Sequence, residues 1–154
     1  MPSFSPIGCR ICALSIRDWC MLAESALVLV VASVLIRLLP FRRLAQIIST
    51  GRLDGDGADH RATISKISWA LNAVARRLPW RAVCIHKGIA AQFMLRRRGL
   101  PNTLHYGIRS REGLLKAHVW VISGVVPVVG VEEAHQFACV ATFPPTIHGS
   151  SALS

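Results

Sequence analysis

Cys84 stands near the head of the stretch RAVCIHKGIAAQFMLRRRGLPN, residues 81–102, and His118 stands 34 residues further on inside KAHVWV. A thiol and an imidazole are the two side chains from which acyl-transfer chemistry is commonly assembled: the thiolate attacks a carbonyl, and the imidazole takes a proton and gives it back. A cysteine thiol titrates at roughly 8.5 in model peptides, so near neutral pH it needs assistance. The start of a helix supplies part of it, because unpaired backbone N–H groups and the helix dipole favour an anion. The same N–H groups can face the oxyanion that forms on the attacked carbonyl. A histidine on a strand opposite that helix start would then serve as the base. The competing readings are plain ones: Cys84 as a small apolar core residue and His118 as a hydrogen-bonded structural histidine. His86 lies two residues after Cys84, which on a helix points it away from the thiol.

These two residues need a helix and a sheet to hold them, and the pattern supplies both. CIHKGIAAQFMLRRR reads as a helix over 84–98, stopped by Gly99 with Pro101 just beyond. Upstream, residues 60–78 carry Ile64, Ile67, Leu71, Val74 and Ala75 at steps of three and four, the mark of an amphipathic helix, and Pro79 closes it. A long helix is expected from Asp18 to Leu39, ended by Pro40, followed by a short one over FRRLAQIIST. The turn-rich segment GRLDGDGADHR separates the two helical halves, and its D-x-D-G fragment lacks the other ligands of a calcium loop. After the helix of Cys84 the texture changes to Val, Ile, Thr and aromatic residues in NTLHYGIRS, LLKAHVWVIS and VVPVVGV, expected as antiparallel strands over about 102–130. Pro127 marks the third as an edge strand or a bulged one. The order predicts an α+β fold in one domain over 18–143, with a flexible lead-in at 1–17 and a frayed tail at 144–154.

The 154 residues are enough for one sizeable core, and 52% of them are hydrophobic. Lys and Arg number 18 against 8 Asp and Glu, a net charge of +10, which favours acidic partners. Nucleic acid is disfavoured as that partner, because the basic residues are scattered through amphipathic helices without a recognised binding motif. The five cysteines are odd in number and unevenly spaced, which argues against a disulfide framework and for a reducing, cytoplasmic compartment. The pair Cys9 and Cys12 has no second pair to complete a zinc site, so no metal or cofactor is expected. The uncharged run Ala26 to Ile36 is 11 residues long, short of the roughly 18 to 20 that a spanning helix needs. It is expected to face the core or a partner, with a membrane surface as the lesser alternative.

Three stretches, in order, resemble one family. LAESALVLVVASVLIRLLPFRRLAQ from Leu22 looks like an opening helix and its Leu-Pro-Phe stop. PWRAVCIHKGIAAQFMLRRRGLPNTLHYGIR looks like a nucleophile helix, an Arg-Arg-Gly corner and the next strand. AHVWV looks like a His-Ala-Trp strand. Together, over roughly residues 20–143, they resemble the B protein of lasso peptide biosynthesis in its split form, where the peptidase half is a separate chain. The resemblance implies a transglutaminase-like, papain-like fold with N-terminal helices and a nucleophile-bearing helix on a small antiparallel sheet. It also implies Cys84 as nucleophile, His118 as general base, and a carboxylate about a dozen residues later that orients the histidine. No Asp occurs in VISGVVPVVGVEEAH; Gly130 falls near that place, and Glu132 and Glu133 are the nearest carboxylates. Glu132 is the expected orienter with Glu133 as its alternative; a backbone carbonyl, or no orienter at all, also remains open. Trp80 and Trp120 are expected at the substrate.

The reaction so implied is hydrolysis of one peptide bond in a ribosomally made precursor, between leader and core. Its implied partners are that precursor, a small leader-recognition protein and an ATP-dependent cyclase. Two other function classes fit the residues: an acyltransferase on the same fold, and a non-catalytic basic module that binds an acidic peptide. The helix face from Ala26 to Leu39 and the cluster Arg96, Arg97 and Arg98 are the surfaces such partners would use. Trp69, Trp80 and Trp120 are expected as core residues rather than stacking platforms, with Trp80 and Trp120 also walling the substrate cleft.

Overall fold

A computed structural model describes residues 14–49, 60–79, 84–111 and 113–145 of the chain. Cys9, Cys12, the D-x-D-G turn and Trp80 lie outside the described residues. The elements are α1 (Ile16–Leu38), α2 (Phe41–Ser49), α3 (Arg61–Ala75) and α4 (Cys84–Arg97), then β1 (Thr103–Arg111), β2 (Leu114–Ser123), β3 (Val126–Val129), a short 3-10 turn at Ala134–Gln136, and β4 (Ala138–Phe143). This is the expected α+β arrangement.

The first helix begins earlier than its hydrophobic pattern suggests, because Ser15 caps it. The Ser15 hydroxyl accepts from the Asp18 N–H, and the Asp18 carboxylate accepts from the Ser15 N–H at 3.1 Å, so two orphan helix-end donors are satisfied at once. The lead-in expected through residue 17 therefore ends before Ser15. Pro40 stops the helix as expected, with Leu39 already in an extended conformation. At 23 residues with a mean hydropathy of 2.2 over its best window, α1 is long and apolar enough to cross a membrane by length and composition alone. The 11-residue run understated it, because Trp19, Met21 and Leu22 extend the apolar stretch past Glu24. One face is nevertheless committed to the domain. Ser25, Leu29, Ala32 and Ser33 are buried, and three of these four are small, which lets α1 lie close against α3 and α4. Leu27, Val30, Val31, Val34 and Leu38 remain exposed on the other side.

The core joins Leu29 of α1, Ile64, Ile67 and Leu71 of α3, Ala90, Ala91, Met94 and Leu95 of α4, and Leu104, Val119 and Val121 of the sheet. The periodic residues of α3 and α4 thus do what their spacing predicts. The sheet has four antiparallel strands in the order β3-β2-β1-β4. Pro127 does sit on an edge strand, and the β2–β3 pairing also shifts register there, so both consequences expected of this proline are present. The fourth strand, at the opposite edge, was not expected.

Gly88 sets how close α4 comes to the sheet. A Cβ at that position would lie 2.6 Å from Val119 Cγ1 and 3.3 Å from Leu104 Cδ1, contacts that no side chain tolerates without displacement. Glycine here lets the helix of Cys84 sit directly on the strand of His118.

The arginines at the end of α4 hold elements together. Arg96 donates to the carbonyls of Ile47 and Ile48 at 2.6 and 2.9 Å, which satisfies the open C-terminal end of α2. Arg98 makes a forked pair with Glu24 at 2.9 and 2.6 Å, tying the end of α4 to α1. Arg97 stays 72% exposed beside the same carboxylate. Of the expected basic docking cluster, then, two members are already engaged in the fold.

Hydrogen bonding from Arg98 holds the Glu24 carboxyl below its ordinary value of 4.5, against an opposing push from its partial burial. A carboxyl lowered on folding adds stability that is complete above the ordinary value and is lost as the pH falls through the lowered one. Glu24→Gln should therefore lower the urea midpoint near neutral pH, and the gap from wild type should narrow as the pH drops below about 4.5. A gap that stayed constant down to about pH 3 would show that the ion pair contributes nothing.

Candidate functional site

The start of α4, the middle of β2 and the end of β3 meet at a cleft of about 570 Å³ lined by Asn72, Arg76, Cys84, Lys87, His118, Val119, Val129, Gly130, Glu132 and Glu133. Cys84 is the first residue of α4 and is half-buried. Its thiol is free. Helical geometry puts Lys87, three residues on, on the same face of α4. The Lys87 ammonium donates to Asn72 Oδ1 of α3 at 3.4 Å. The cleft thus holds a helix start and the cations of Arg76 and Lys87, groups able to stabilise an oxyanion.

His118 is 9% exposed. Alternation along β2 sends its Cβ to the face opposite Val119, away from α4. It still opens onto the cleft because the sheet edge beside it is bare: β3 pairs with β2 only from Val121 to Ser123. The ring is held on three sides. Phe137 stacks on it at 4.9 Å and Trp120 at 6.1 Å between ring centroids. Its Nε2 lies 2.7 Å from the carbonyl oxygen of Gly130. A carbonyl can only accept, so Nε2 carries the proton and donates, and in the neutral ring Nδ1 is left with the lone pair. That lone pair is what a base requires.

Gly130 can take this place because of its own backbone. Its φ of +73° is left-handed, the region that glycine enters without penalty. The turn it makes ends the β2–β3 pairing and aims its carbonyl at the imidazole.

The structure thus brings Cys84 and His118 to one cleft, and no hydrogen bond between them is formed among the described residues. Such contacts are often long in unliganded enzymes and tighten when substrate arrives. Glu132 and Glu133 line the same cleft and are exposed; the atom that meets Nε2 is the Gly130 carbonyl oxygen. Trp120 is 7% exposed and lies behind the histidine, stacked on His105 at 5.4 Å on its other side. It backs the ring and is absent from the residues lining the cleft. Trp69, expected in the core, is 42% exposed, since its position on α3 falls outside the Ile64, Ile67, Leu71 stripe. Of the residues at the cleft, Lys87 was legible in advance from its spacing to Cys84. Asn72 and Arg76 come from a separate helix and carry no signal of their own in the sequence.

A second thiol and imidazole touch elsewhere. Cys139 Sγ of β4 lies 3.8 Å from His105 Nδ1, and burial pushes the His105 imidazole below its ordinary value. This pair spans β1 and the edge strand β4, with Cys139 exposed, and is absent from the residues lining the cleft of Cys84 and His118. Among the described residues, no group of three His, Cys, Asp or Glu side chains could hold a metal ion.

Compared with curated proteins and with solved structures, the chain has no match. Among protein families, the model for the transglutaminase-like superfamily matches residues 26–142, a span that runs from inside α1 to the end of β4 and takes in Cys84, His118 and Gly130. With a helix-borne cysteine and a strand-borne histidine at one cleft, and that match over most of its length, the chain belongs to the transglutaminase-like superfamily.

Proposed function

We propose that this protein is a cysteine peptidase that cuts a lasso precursor peptide between leader and core. The observation that supports the catalytic part is one cleft lined by both Cys84, the first residue of α4, and His118, whose Nε2 meets the Gly130 carbonyl. The choice of substrate rests on the order of the three sequence stretches from Leu22, around Cys84 and around His118.

In the proposed reaction His118 Nδ1 takes the Cys84 thiol proton while Sγ attacks the scissile carbonyl carbon. The first backbone N–H groups of α4 face the resulting oxyanion. The imidazolium then returns its proton to the departing amine, the C–N bond breaks, and a thioester remains on Sγ. Water, deprotonated by the same nitrogen, opens the thioester and restores the thiol. Trp80, just upstream of Cys84 in the sequence, remains a proposed wall of the substrate path. The exposed apolar face of α1 is the proposed seat for the leader-recognition protein, and the cyclase would act on the amine released. The compartment proposed for these steps is the cytoplasm.

The test is the intact mass of a lasso precursor incubated with this protein and a leader-recognition protein. The expected result is one cut, with products whose masses sum to the precursor plus one water. A product carrying an added amine in place of water would make the protein an acyltransferase. A precursor that binds and stays whole would make it a binding module.

The role proposed for Glu132, with Glu133 as alternative, is to orient His118 by accepting from its Nε2–H in place of the Gly130 carbonyl. If either acts on the imidazolium, its Gln variant should lower kcat by about tenfold or more with little change in KM. Unchanged kcat in both variants would leave the Gly130 carbonyl as the orienting group.

A further inference from the structure

Cys84 lines a second pocket, of about 320 Å³, whose other walls are Ile36, Leu39, Leu44, Ile85, Tyr106, Ala117 and Val119. Among the described residues no charged side chain lines it, whereas the larger cleft carries Arg76, Lys87, Glu132 and Glu133. One sulfur therefore stands on the border between an apolar pocket and a charged cleft.

The chemistry says which half of a substrate goes where. The group that must hand a proton to the departing amine is His118, which lines the charged cleft and not the apolar pocket. The amine half must leave past His118, so the acyl half lies on the other side of the sulfur. We infer that the pocket walled by Ile36, Leu39, Leu44, Ile85 and Tyr106 is a specificity subsite that takes an apolar side chain on the acyl side of the scissile bond, within two residues of it. The inference rests on the thiol chemistry proposed above. It adds that the end of α1 and the start of α2 select the substrate. At the low end of ligand-pocket sizes, roughly 300 Å³, the pocket suits one branched or aromatic side chain. A charged one would lose water there without gaining a partner.

Peptidyl chloromethyl ketones test this without knowledge of the natural precursor. Sγ displaces chloride, a C–S bond forms as the C–Cl bond breaks, and the thiol proton goes to the base; mass spectrometry then reads labelling of Cys84 over time. Two series are needed, N-acetyl-Xaa and N-acetyl-Xaa-Gly chloromethyl ketones, with Xaa as Leu, Phe, Asp or Lys. In one series the Leu and Phe probes should react about 10- to 100-fold faster than the Asp and Lys probes.

Ala117 is exposed at the pocket rim, so replacing it spares the core. Ala117→Trp should remove the advantage of the Leu probe, and Ala117→Asp should shift preference toward Lys. Iodoacetamide, too small to use the pocket, reads the intrinsic reactivity of Cys84 in each variant, and the chloromethyl ketone rates are compared after division by it. If both series are flat while iodoacetamide labels Cys84 faster than Cys20 and Cys139, the subsite is overturned and the nucleophile stands. If Cys84 reacts no faster than those two with any reagent, the subsite and the peptidase reading fall together.

Discussion

Cys84→Ala should leave the precursor whole, with turnover down by roughly 10⁴-fold or more, while the protein remains folded. The size of the loss follows from the chemistry. Without Sγ no thioester forms, and what remains is the binding and oxyanion stabilisation that the start of α4 gives to an uncatalysed attack by water. The expectation of a folded variant follows from the packing. Cys84 is half-buried at the edge of the core and packs against it as a small apolar group, so removing one sulfur should cost about 1 kcal/mol or less. His118→Ala should bring down turnover by a similar factor, and the double variant should be no worse than either single one, because nucleophile and base act as a unit. Cleavage by Cys84→Ala above the background of precursor alone would transfer the chemistry to another group. Cys139, already beside His105, would be the first to test, by Cys139→Ala.

How far the sequence leads to this site depends on what kind of information each part needs. The helices were readable because their buried residues recur every three or four positions: Ile64, Ile67 and Leu71 in α3 lie at 0% exposure. The strands β1 to β3 were readable from β-branched and aromatic runs broken by turns. Strand β4 was not, because ACVATF lies at a sheet edge and shows no alternation of buried and exposed residues; its place comes from pairing with β1, a long-range fact. The start of α1 was present in the sequence as Ser15 three residues before Asp18, a capping signal that the apolar run overshadowed. The roles of Arg96 and Arg98 were hidden for another reason. A basic helix end looks alike whether it faces water or, as here, two carbonyls of α2 and a carboxylate of α1.

The group that meets His118 Nε2 is the deepest case. A carboxylate leaves a letter in the sequence, and a backbone carbonyl leaves none. What the sequence does contain is a glycine at 130, and the structure supplies the reason for it: φ is +73°, and a Cβ there would lie 2.5 Å from the Val119 carbonyl oxygen and 3.3 Å from His118 Nε2. The place where the resemblance leads one to seek an Asp is one that cannot hold any side chain without moving β2.

Gly130→Ala should therefore lower both stability and turnover, and the two effects can be separated by a control. A left-handed φ costs an L-residue about 1 to 2 kcal/mol. Gly113, with φ +76° and nothing within 4 Å of an added Cβ, should show that cost alone when changed to Ala, with kcat untouched. At Gly130 the clash with the Val119 carbonyl comes on top, so the loss of stability should reach about 2 to 4 kcal/mol. Relief of the clash must swing the 130 carbonyl away from Nε2 or push β2 back. Either movement frees the ring to turn or to take the tautomer with its proton on Nδ1, which cannot act as base toward Cys84. The expected kinetic mark is a fall in kcat of about a hundredfold with KM near wild type, since the pocket walls beyond His118 are unaltered. Gly130→Asp should do no better than Ala despite restoring a carboxylate, because its Cβ begins in the same forbidden position. Should Gly130→Asp instead exceed wild type in turnover, the carbonyl would be a poor substitute for a displaced acid, and the idea that this backbone is built to hold the histidine would be wrong. Should Gly130→Ala match Gly113→Ala in both stability and kcat, the 2.7 Å contact to Nε2 would carry no catalytic weight.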